Sequence, residues 1–297
     1  MRRRFVTLDV FTNKRFAGNP LAVVLEPEGL DTVAMQAIAR EFNLSETVFV
    51  QPPEDSSHRA KLRIFTPGRE LPFAGHPTVG TAVLLGTLDG GTSERDFVLE
   101  EKIGLVPCRV KAAAGSGRAT FQIPRLPTEE GKAPDNAALA AALSISASDV
   151  GFGKFAPQRW SAGNPFTVVP VRGLAVMARC RPDMTHFETA FGGGFAAPFV
   201  VCGETAEPGH NFHARMFAPG VGVAEDPATG SAAAAFAGYL AAHRGYSDGE
   251  HLVRIEQGYE MNRPSLMELT LNISGGKLTG ASIGGGAVIV IEGTIEA

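Results

Sequence analysis

Glu46, His76 and Asp226 are the three side chains around which a small-molecule site can be argued. His76 and Asp226 each precede a proline in two stretches that nearly repeat one another. Residues 63–82 read RIFTPGRELPFAGHPTVGTA, and residues 215–232 read RMFAPGVGVAEDPATGSA. Arg63, Phe65, Pro67 and Gly68 recur as Arg215, Phe217, Pro219 and Gly220. After a two-residue difference in spacing, Pro77, Gly80 and Ala82 recur as Pro227, Gly230 and Ala232.

An imidazole gives or takes a proton near neutral pH, and a carboxylate can position or charge-balance it. Proline at a first helical position lacks only an N–H that has no intrahelical partner there. Pro77 and Pro227 therefore place His76 and Asp226 near the N-caps of two expected helices, and aspartate is a favoured N-cap residue. The unpaired N–H groups and positive dipole end of a helix start favour an anion. Gly75 and Gly230 let a ligand approach the main chain, and Thr229 and Ser231 supply hydroxyl donors. Two such helix starts facing each other would hold a small molecule bearing a carboxylate. Either motif alone also reads as a plain helix cap or a satisfied turn histidine; the repeat favours a site, because unlike residues occupy the same slot.

Glu46 lies in Ser45-Glu46-Thr47-Val48-Phe49-Val50, at the entrance of an apolar strand. The matching place in the second half is Ala196, Ala197 and Pro198, with no acid. A carboxylate kept in one half only is what asymmetric acid–base chemistry needs. Burial beside Phe49 would raise its pKa and suit it to proton shuttling; an exposed glutamate at a strand edge is the equal alternative. Arg63 and Arg215 fit substrate clamps and structural pairs equally well. His210 and His213 stand as HxxH without further ligands at zinc-like spacing, which reads as a polar loop. Gly192-Gly193-Gly194 and Gly284-Gly285-Gly286 do not make GxGxxG after a strand, and Ser231 is not in a GxSxG elbow.

The elements that must position these residues follow from the apolar pattern. Strands are expected over 5–11, 16–25 (after a Gly-Asn-Pro turn), 45–50, 60–65, 97–99, 104–110 and 119–123, with a helix over 31–42 capped by Asp31 and packing through Val33, Ile38 and Phe42. Pro124, Pro127 and Pro134 mark a change of domain. Further helices are expected over 136–143, near 181–187 and over 231–240, and strands over 199–202, 252–257, 266–273, 277–283 and 287–295. Gly163-Asn164-Pro165-Phe166-Thr167-Val168-Val169 echoes Gly18-Asn19-Pro20-Leu21-Ala22-Val23-Val24. Asn19 precedes Arg63 by 44 positions and Asn164 precedes Arg215 by 51, so two landmarks recur in order, as internal duplication requires. Both proline-led helices are rich in Gly, Ala, Ser and Thr, which suits helices enclosed by a curved sheet.

With 297 residues, 44% hydrophobic and 20% charged, the chain has the length and composition of about two ordinary soluble domains. Its net charge of -4 carries no basic stripe for nucleic acid. Cys108, Cys180 and Cys202 are odd in number and widely spaced, which reads as reduced, buried thiols of a cytoplasmic protein. No apolar core follows the basic MRRRF start, so no signal peptide is expected, and the longest small-apolar run, residues 232–242, is too short to span a bilayer.

The set FAGNPLAVV, LSETVFV, RIFTPGRELPFAGHPTVGTA, GNPFTVV and EDPATGSAAAAFAGYL resembles the phenazine-biosynthesis PhzF family over nearly the whole chain. That resemblance implies an α+β protein with the diaminopimelate epimerase fold: two pseudo-repeated domains, each a curved, mostly antiparallel sheet around a central helix. The expected domains are residues 1–124 with a returning strand at 284–297, and residues 125–283, with the site between them. It further implies that Glu46 moves a proton assisted by His76 and Asp226, and that Asn19, Ser45, Gly75, Thr229, Gly230 and Ser231 bind substrate. The implied protein uses neither metal nor organic cofactor, is a homodimer, and isomerises a small cyclic acid such as trans-2,3-dihydro-3-hydroxyanthranilate. Epimerases and racemases of this fold place two cysteines at the helix starts; Gly75-His76-Pro77 and Asp226-Pro227 stand there here, which disfavours two-thiol chemistry. An epimerase without catalytic thiols and a non-enzymatic small-acid binder remain the alternatives.

Overall fold

The computed structural model describes residues 1–192 and 196–297. Gly193 and Gly194 of the first triple-glycine run lie outside the described residues. The chain divides into Met1–Pro124 with Ile283–Ala297 as a first unit and Arg125–Ser282 as a second. In order, the first unit contains β1 (Arg2–Val10), β2 (Asn19–Leu25), α1 (Thr32–Phe42), β3 (Glu46–Gln51), β4 (Ala60–Phe65), β5 (Glu70–Leu71), α2 (Gly75–Leu88), β6 (Glu94–Glu101), β7 (Gly104–Ala113) and β8 (Ser116–Gln122). The second contains β9 (Thr128–Glu129), α3 (Asn136–Leu143), β10 (Gln158–Ser161), β11 (Pro165–Pro170), α4 (Leu174–Met177), α5 (Met184–Phe191), β12 (Pro198–Cys202), β13 (Phe212–Ala218), β14 (Val223–Asp226), α6 (Gly230–Arg244), β15 (Gly249–Gln257) and β16 (Ser265–Ser274). The closing strand β17 (Lys277–Glu296) begins in the second unit and ends in the first.

In the first unit the ladders close on themselves. Antiparallel pairs join β17 to β1, β1 to β2, β3 to β4, β6 to β7 and β7 to β8. Parallel pairs join β2 to β3 and β4 to β6, and β8 returns to β17. The parallel pairs are the ones bridged by α1 and α2, as a crossover connection demands. Helix α2 is buried at every residue from Gly75 to Gly86, because strands face it all round. A helix in that place has no solvent side, so its sequence shows no polar stripe. Its small residues permit the approach: a Cβ on Gly80 would stand 2.6 Å from both Leu21 Cδ2 and Val10 Cγ2.

The second unit is built on similar lines. Strands β9, β10 and β11 pair antiparallel, β11 and β12 parallel, β12 and β13 antiparallel, β13 and β15 parallel, and β15 and β16 antiparallel. Helix α6 is buried at Gly230 and from Ala232 to Leu240. A Cβ on Gly238 would lie 2.5 Å from the Trp160 ring. A separate apolar layer packs α3 and α5 through Leu139, Leu143, Phe187 and Phe191.

Several expected elements shift. Asp31 does cap α1, accepting from Ala34 N–H at 2.8 Å, but Val33 is exposed and Met35 and Ala39 are the buried residues. Val33 lies two positions before Met35, about 200° round the helix, on the opposite side. The helix expected near 181–187 begins at Met184, after Pro182 and behind the Asp183 cap. The two last strands are one strand: the Gly284–Gly286 run is extended, and its glycines admit neighbouring backbone and side chains instead of making a turn.

Candidate active site

The first unit assembles a carboxylate, an imidazole and a carboxamide at one end of its ring. Asn19 and Glu46 are the first residues of β2 and β3, which run parallel with Leu21 opposite Glu46. Parallel neighbours that start together bring their first side chains to the same end. His76 reaches that end from the first turn of α2. Its Nδ1 lies 3.3 Å from Glu46 Oε2 and 3.2 Å from Asn19 Nδ2. The His76 side chain is 4% exposed and that of Glu46 15%, so the pair is nearly dry without being sealed. Burial pushes the His76 imidazole down to about 3, with the Pro20 carbonyl opposing in part. His76 is thus a neutral ring at pH 7 and does not titrate near neutrality as its residue type suggested; desolvation of the cation outweighs its polar partners. Ser45 is half-buried beside Glu46, and Gly75 is the buried first residue of α2.

Helix α2 starts slightly earlier than its proline predicts. Ala74 is the N-cap, in extended geometry and without a side-chain cap bond, so His76 is the second helical residue and Pro77 the third. A proline there still removes only a first-turn N–H that has no helical acceptor.

The start of α6 departs further from expectation. Asp226 is not its N-cap: it ends β14, opposite Met216 of β13, and the N-cap is Thr229. Pro227 therefore lies in the connecting turn. The Asp226 carboxylate accepts from Thr229 Oγ1 at 2.6 Å. Gln257 holds both: its Nε2 donates to the Asp226 carbonyl at 2.6 Å and to Thr229 Oγ1 at 3.0 Å, while its Oε1 accepts from Thr229 N–H at 3.2 Å. Asp226 and Thr229 are buried, Gly230 is the buried first residue of the helix, and Ser231 is half-buried. The strand register of the second unit puts Thr167 opposite Pro198, as Ala22 stands opposite Thr47 in the first, so Ala197 takes the place that Glu46 holds.

The two arginines are structural. Arg63 donates to Glu70 through Nε and a terminal nitrogen at 2.8 and 3.0 Å, and lies 5.1 Å from the Phe65 ring centre. Arg215 does the same with Glu225 at 2.7 and 2.8 Å and with Phe217 at 4.8 Å. His213 is not in a loop: it is buried in β13, 2.7 Å from Glu256 and 3.1 Å from Glu260, while His210 Nδ1 meets Glu256 at 2.6 Å. Burial opposes a charge on His213, but the two carboxylates outweigh it and push the ring up to about 9. Among the described residues no group of three His, Cys, Asp or Glu side chains could hold a metal ion. The three cysteines are unpaired and buried; burial pushes the Cys180 thiol up to about 11 and Cys202 to about 12, and Cys108 higher still, so none is a thiolate at neutral pH.

Gln257, Thr78 and Glu101 were not singled out from the sequence. The signal was present: Leu99-Glu100-Glu101 and Ile255-Glu256-Gln257 are a third recurring landmark. In each, the first glutamate accepts from two successive loop N–H groups and a histidine Nδ1: Glu54, Asp55 and His58 for Glu100, and Ala206, Glu207 and His210 for Glu256.

Strands ringed around a buried helix make this a sheet-rich α+β protein, with a carboxylate and a neutral imidazole meeting at one end of the first unit. The sequence profile of phenazine biosynthesis-like proteins matches residues 8–293. The chain belongs to this PhzC-PhzF family, and it is an isomerase. An uncharacterized isomerase of Mesorhizobium japonicum is 48% identical, covering 99% of this chain and 98% of that protein. The trans-2,3-dihydro-3-hydroxyanthranilate isomerase of Pseudomonas aeruginosa is 35% identical, covering 98% of each. The crystal structure of a PhzF-family phenazine biosynthesis protein from Bacillus anthracis superposes with a TM-score of 0.89 at 28% identity, covering 100% of both chains. No helix of the described residues is long and apolar enough to cross a membrane.

Proposed function

We propose that this isomerase moves a proton, and with it a double bond, within a small cyclic carboxylic acid of the trans-2,3-dihydro-3-hydroxyanthranilate kind, without a cofactor. The observation that carries the reading is the nearly dry contact of Glu46 with the neutral His76 ring beside Asn19. The Glu46 carboxylate takes a proton from one substrate carbon, the electron pair left behind shifts the double bond, and the resulting carboxyl returns a proton to a second carbon. Atoms and charge balance, and the enzyme ends as it began.

His76 suits both halves of that cycle. With its proton on Nδ1 it donates toward the Glu46 carboxylate. With its proton on Nε2 it presents a lone pair that accepts from Asn19 Nδ2, or from the Glu46 carboxyl once that group has taken the substrate proton. A neutral imidazole changes tautomer where a buried imidazolium would compete for the proton. In the first unit Ser45 and Gly75 adjoin Glu46 and His76 in the chain; in the second, Asp226 with Thr229 and Gln257 fixes the start of α6, where Gly230 and Ser231 offer main-chain and hydroxyl donors to a substrate. The recurrence of the Arg–Glu clamp, the His–Glu loop tie and the parallel register in both units supports descent from one duplicated unit.

The test is incubation of trans-2,3-dihydro-3-hydroxyanthranilate in D2O with the wild type and with Glu46→Gln. The wild type should shift the double bond and place deuterium at the carbon that receives the proton. Glu46→Gln should lose roughly 10²–10⁴-fold in rate, the usual contribution of a positioned acid or base. Wild-type turnover in the mutant removes Glu46 from the mechanism. Exchange with inversion at the original carbon and no double-bond shift would select epimerisation, and binding without exchange would select a non-enzymatic carrier.

A further inference from the structure

The residue that follows the loop-tying glutamate reaches the helix start in both units, with different chemistry. In the second unit it is Gln257, a neutral amide donating to the Asp226 carbonyl and to Thr229 Oγ1. In the first it is Glu101, at the end of β6. Thr78 Oγ1 lies 2.8 Å from the Ala74 carbonyl oxygen and 2.7 Å from Glu101 Oε1. A hydroxyl carries one hydrogen, and a carbonyl oxygen cannot donate. One hydrogen can serve both oxygens only as a forked bond; each contact is a full hydrogen bond when Thr78 donates to Ala74 and Glu101 donates to Thr78. We propose that Glu101 is held as a neutral carboxylic acid, its Oε1–H donated to Thr78, and that it is a positioning residue for His76.

The surroundings agree. Glu101 is 7% exposed, Thr78 is fully buried, and Glu101 Oε2 has no hydrogen-bond partner among the described residues. A carbonyl-type oxygen tolerates that state far better than a buried carboxylate oxygen does. Burial pushes the Glu101 carboxyl up to about 8, the Thr78 contact opposing only in part. Gln257 is the permanently neutral counterpart of the same device. The charged and titratable groups that share a cavity with Glu101 are Glu54, Asp55 and His58 between β3 and β4, Lys61 and Arg63 on β4, Glu70 on β5, and Glu100 and Lys102 beside it in the chain, with Cys108 on β7 close enough to feel its charge. Arg63 is committed to Glu70, Lys61 to Glu54 and His58 to Glu100, and Cys108 keeps its proton.

Ionisation sends the Glu101 proton to solvent, and the Thr78 hydrogen turns from the Ala74 carbonyl to Oε1. Ala74, the N-cap two residues before His76, then keeps only the Thr78 N–H at 3.2 Å. The effect on turnover rests on the role proposed for His76; the effect on the helix start does not. NMR of wild type carrying ¹³C-labelled glutamate carboxyls should show one side chain titrating near pH 8, with the amides of Gly75, His76 and Thr78 moving in step. In Glu101→Gln those amides should stay at their low-pH positions from pH 6 to 10, and the ratio of turnover at pH 9 to that at pH 7 should rise. In Thr78→Val the carboxyl transition should move to higher pH, which keeps the proposal testable if Glu101→Gln folds poorly. A Glu101 carboxyl that titrates below pH 6, or helix-start transitions that persist in Glu101→Gln, would overturn it. An unchanged turnover ratio with the amide result intact would instead count against the role of His76.

Discussion

The starts of α2 and α6 are held by the same kind of scaffold and equipped with different chemistry. Around α2 the polar groups include Glu46, His76 and Glu101, of which burial moves His76 down and Glu101 up. Around α6 amide and hydroxyl bonds include Gln257 to the Asp226 carbonyl and to Thr229, and Thr229 to the Asp226 carboxylate. The strand position that carries Glu46 in the first unit carries Ala197 in the second. A shared scaffold can therefore be directional: under the proposed function the first unit carries the base, and in the second the amide of Gln257 ties the start of α6 to β14.

Swapping side chains between the two starts breaks this contrast, and the largest effect should come from chemistry. Glu46→Gln should lower turnover by about 10²–10⁴-fold, whereas Asp226→Asn, which keeps an acceptor for Thr229, should lower it by about tenfold, the scale of one weakened charge-assisted hydrogen bond. Steady-state rates of both variants decide the point. Gln257→Glu places an ionisable acid where the second start has an amide. It should be tolerated at pH 5 and lose about 1–3 kcal/mol of unfolding free energy at pH 9, where the buried acid must charge or bind a proton; denaturant unfolding at the two pH values measures it.

Packing should distinguish the helices next. Gly80→Ala and Gly238→Ala each add a Cβ into occupied space, at 2.6 Å from Leu21 Cδ2 and 2.5 Å from the Trp160 ring. Each should cost about 1–3 kcal/mol net of better helix propensity, with Gly238→Ala the worse because an indole ring yields less than a leucine methyl. Thermal unfolding ranks them. The most gradual effect is electrostatic, spread over a range of pH. His213 is raised from 6.5 to about 9 by Glu256 and Glu260, so its contribution is fully present below pH 6.5 and lost as pH rises through 9. Unfolding free energy should fall by up to about 3 kcal/mol over that window, and His213→Gln should flatten the slope.

Much of this was legible from residue order. The Gly-Asn-Pro turn, the SETVFV strand and the two proline-led motifs placed Asn19, Glu46 and His76 on elements that do meet. Local rules failed where tertiary partners outweighed them. Asp226-Pro227 looks like a cap followed by a first helical proline, but pairing with Met216 keeps Asp226 in a strand and Thr229 becomes the cap. Gly284-Gly285-Gly286 looks like a break, but packing against Thr120 and Thr12 makes it the interior of β17. His213 looks like a loop residue, but two carboxylates from elsewhere in the chain make a buried strand position tolerable. Glu101 is marked only by the recurrence of Leu99-Glu100-Glu101 as Ile255-Glu256-Gln257; nothing local distinguishes a buried strand-end glutamate from an exposed one.

The contrast between the two helix starts is tested most directly by deuterium incorporation into trans-2,3-dihydro-3-hydroxyanthranilate in D2O, followed side by side for Glu46→Gln and Asp226→Asn. Exchange should vanish with Glu46→Gln and persist, slowed, with Asp226→Asn. Exchange at the wild-type rate in Glu46→Gln, or its loss only in Asp226→Asn, would contradict a proton moved by the first unit.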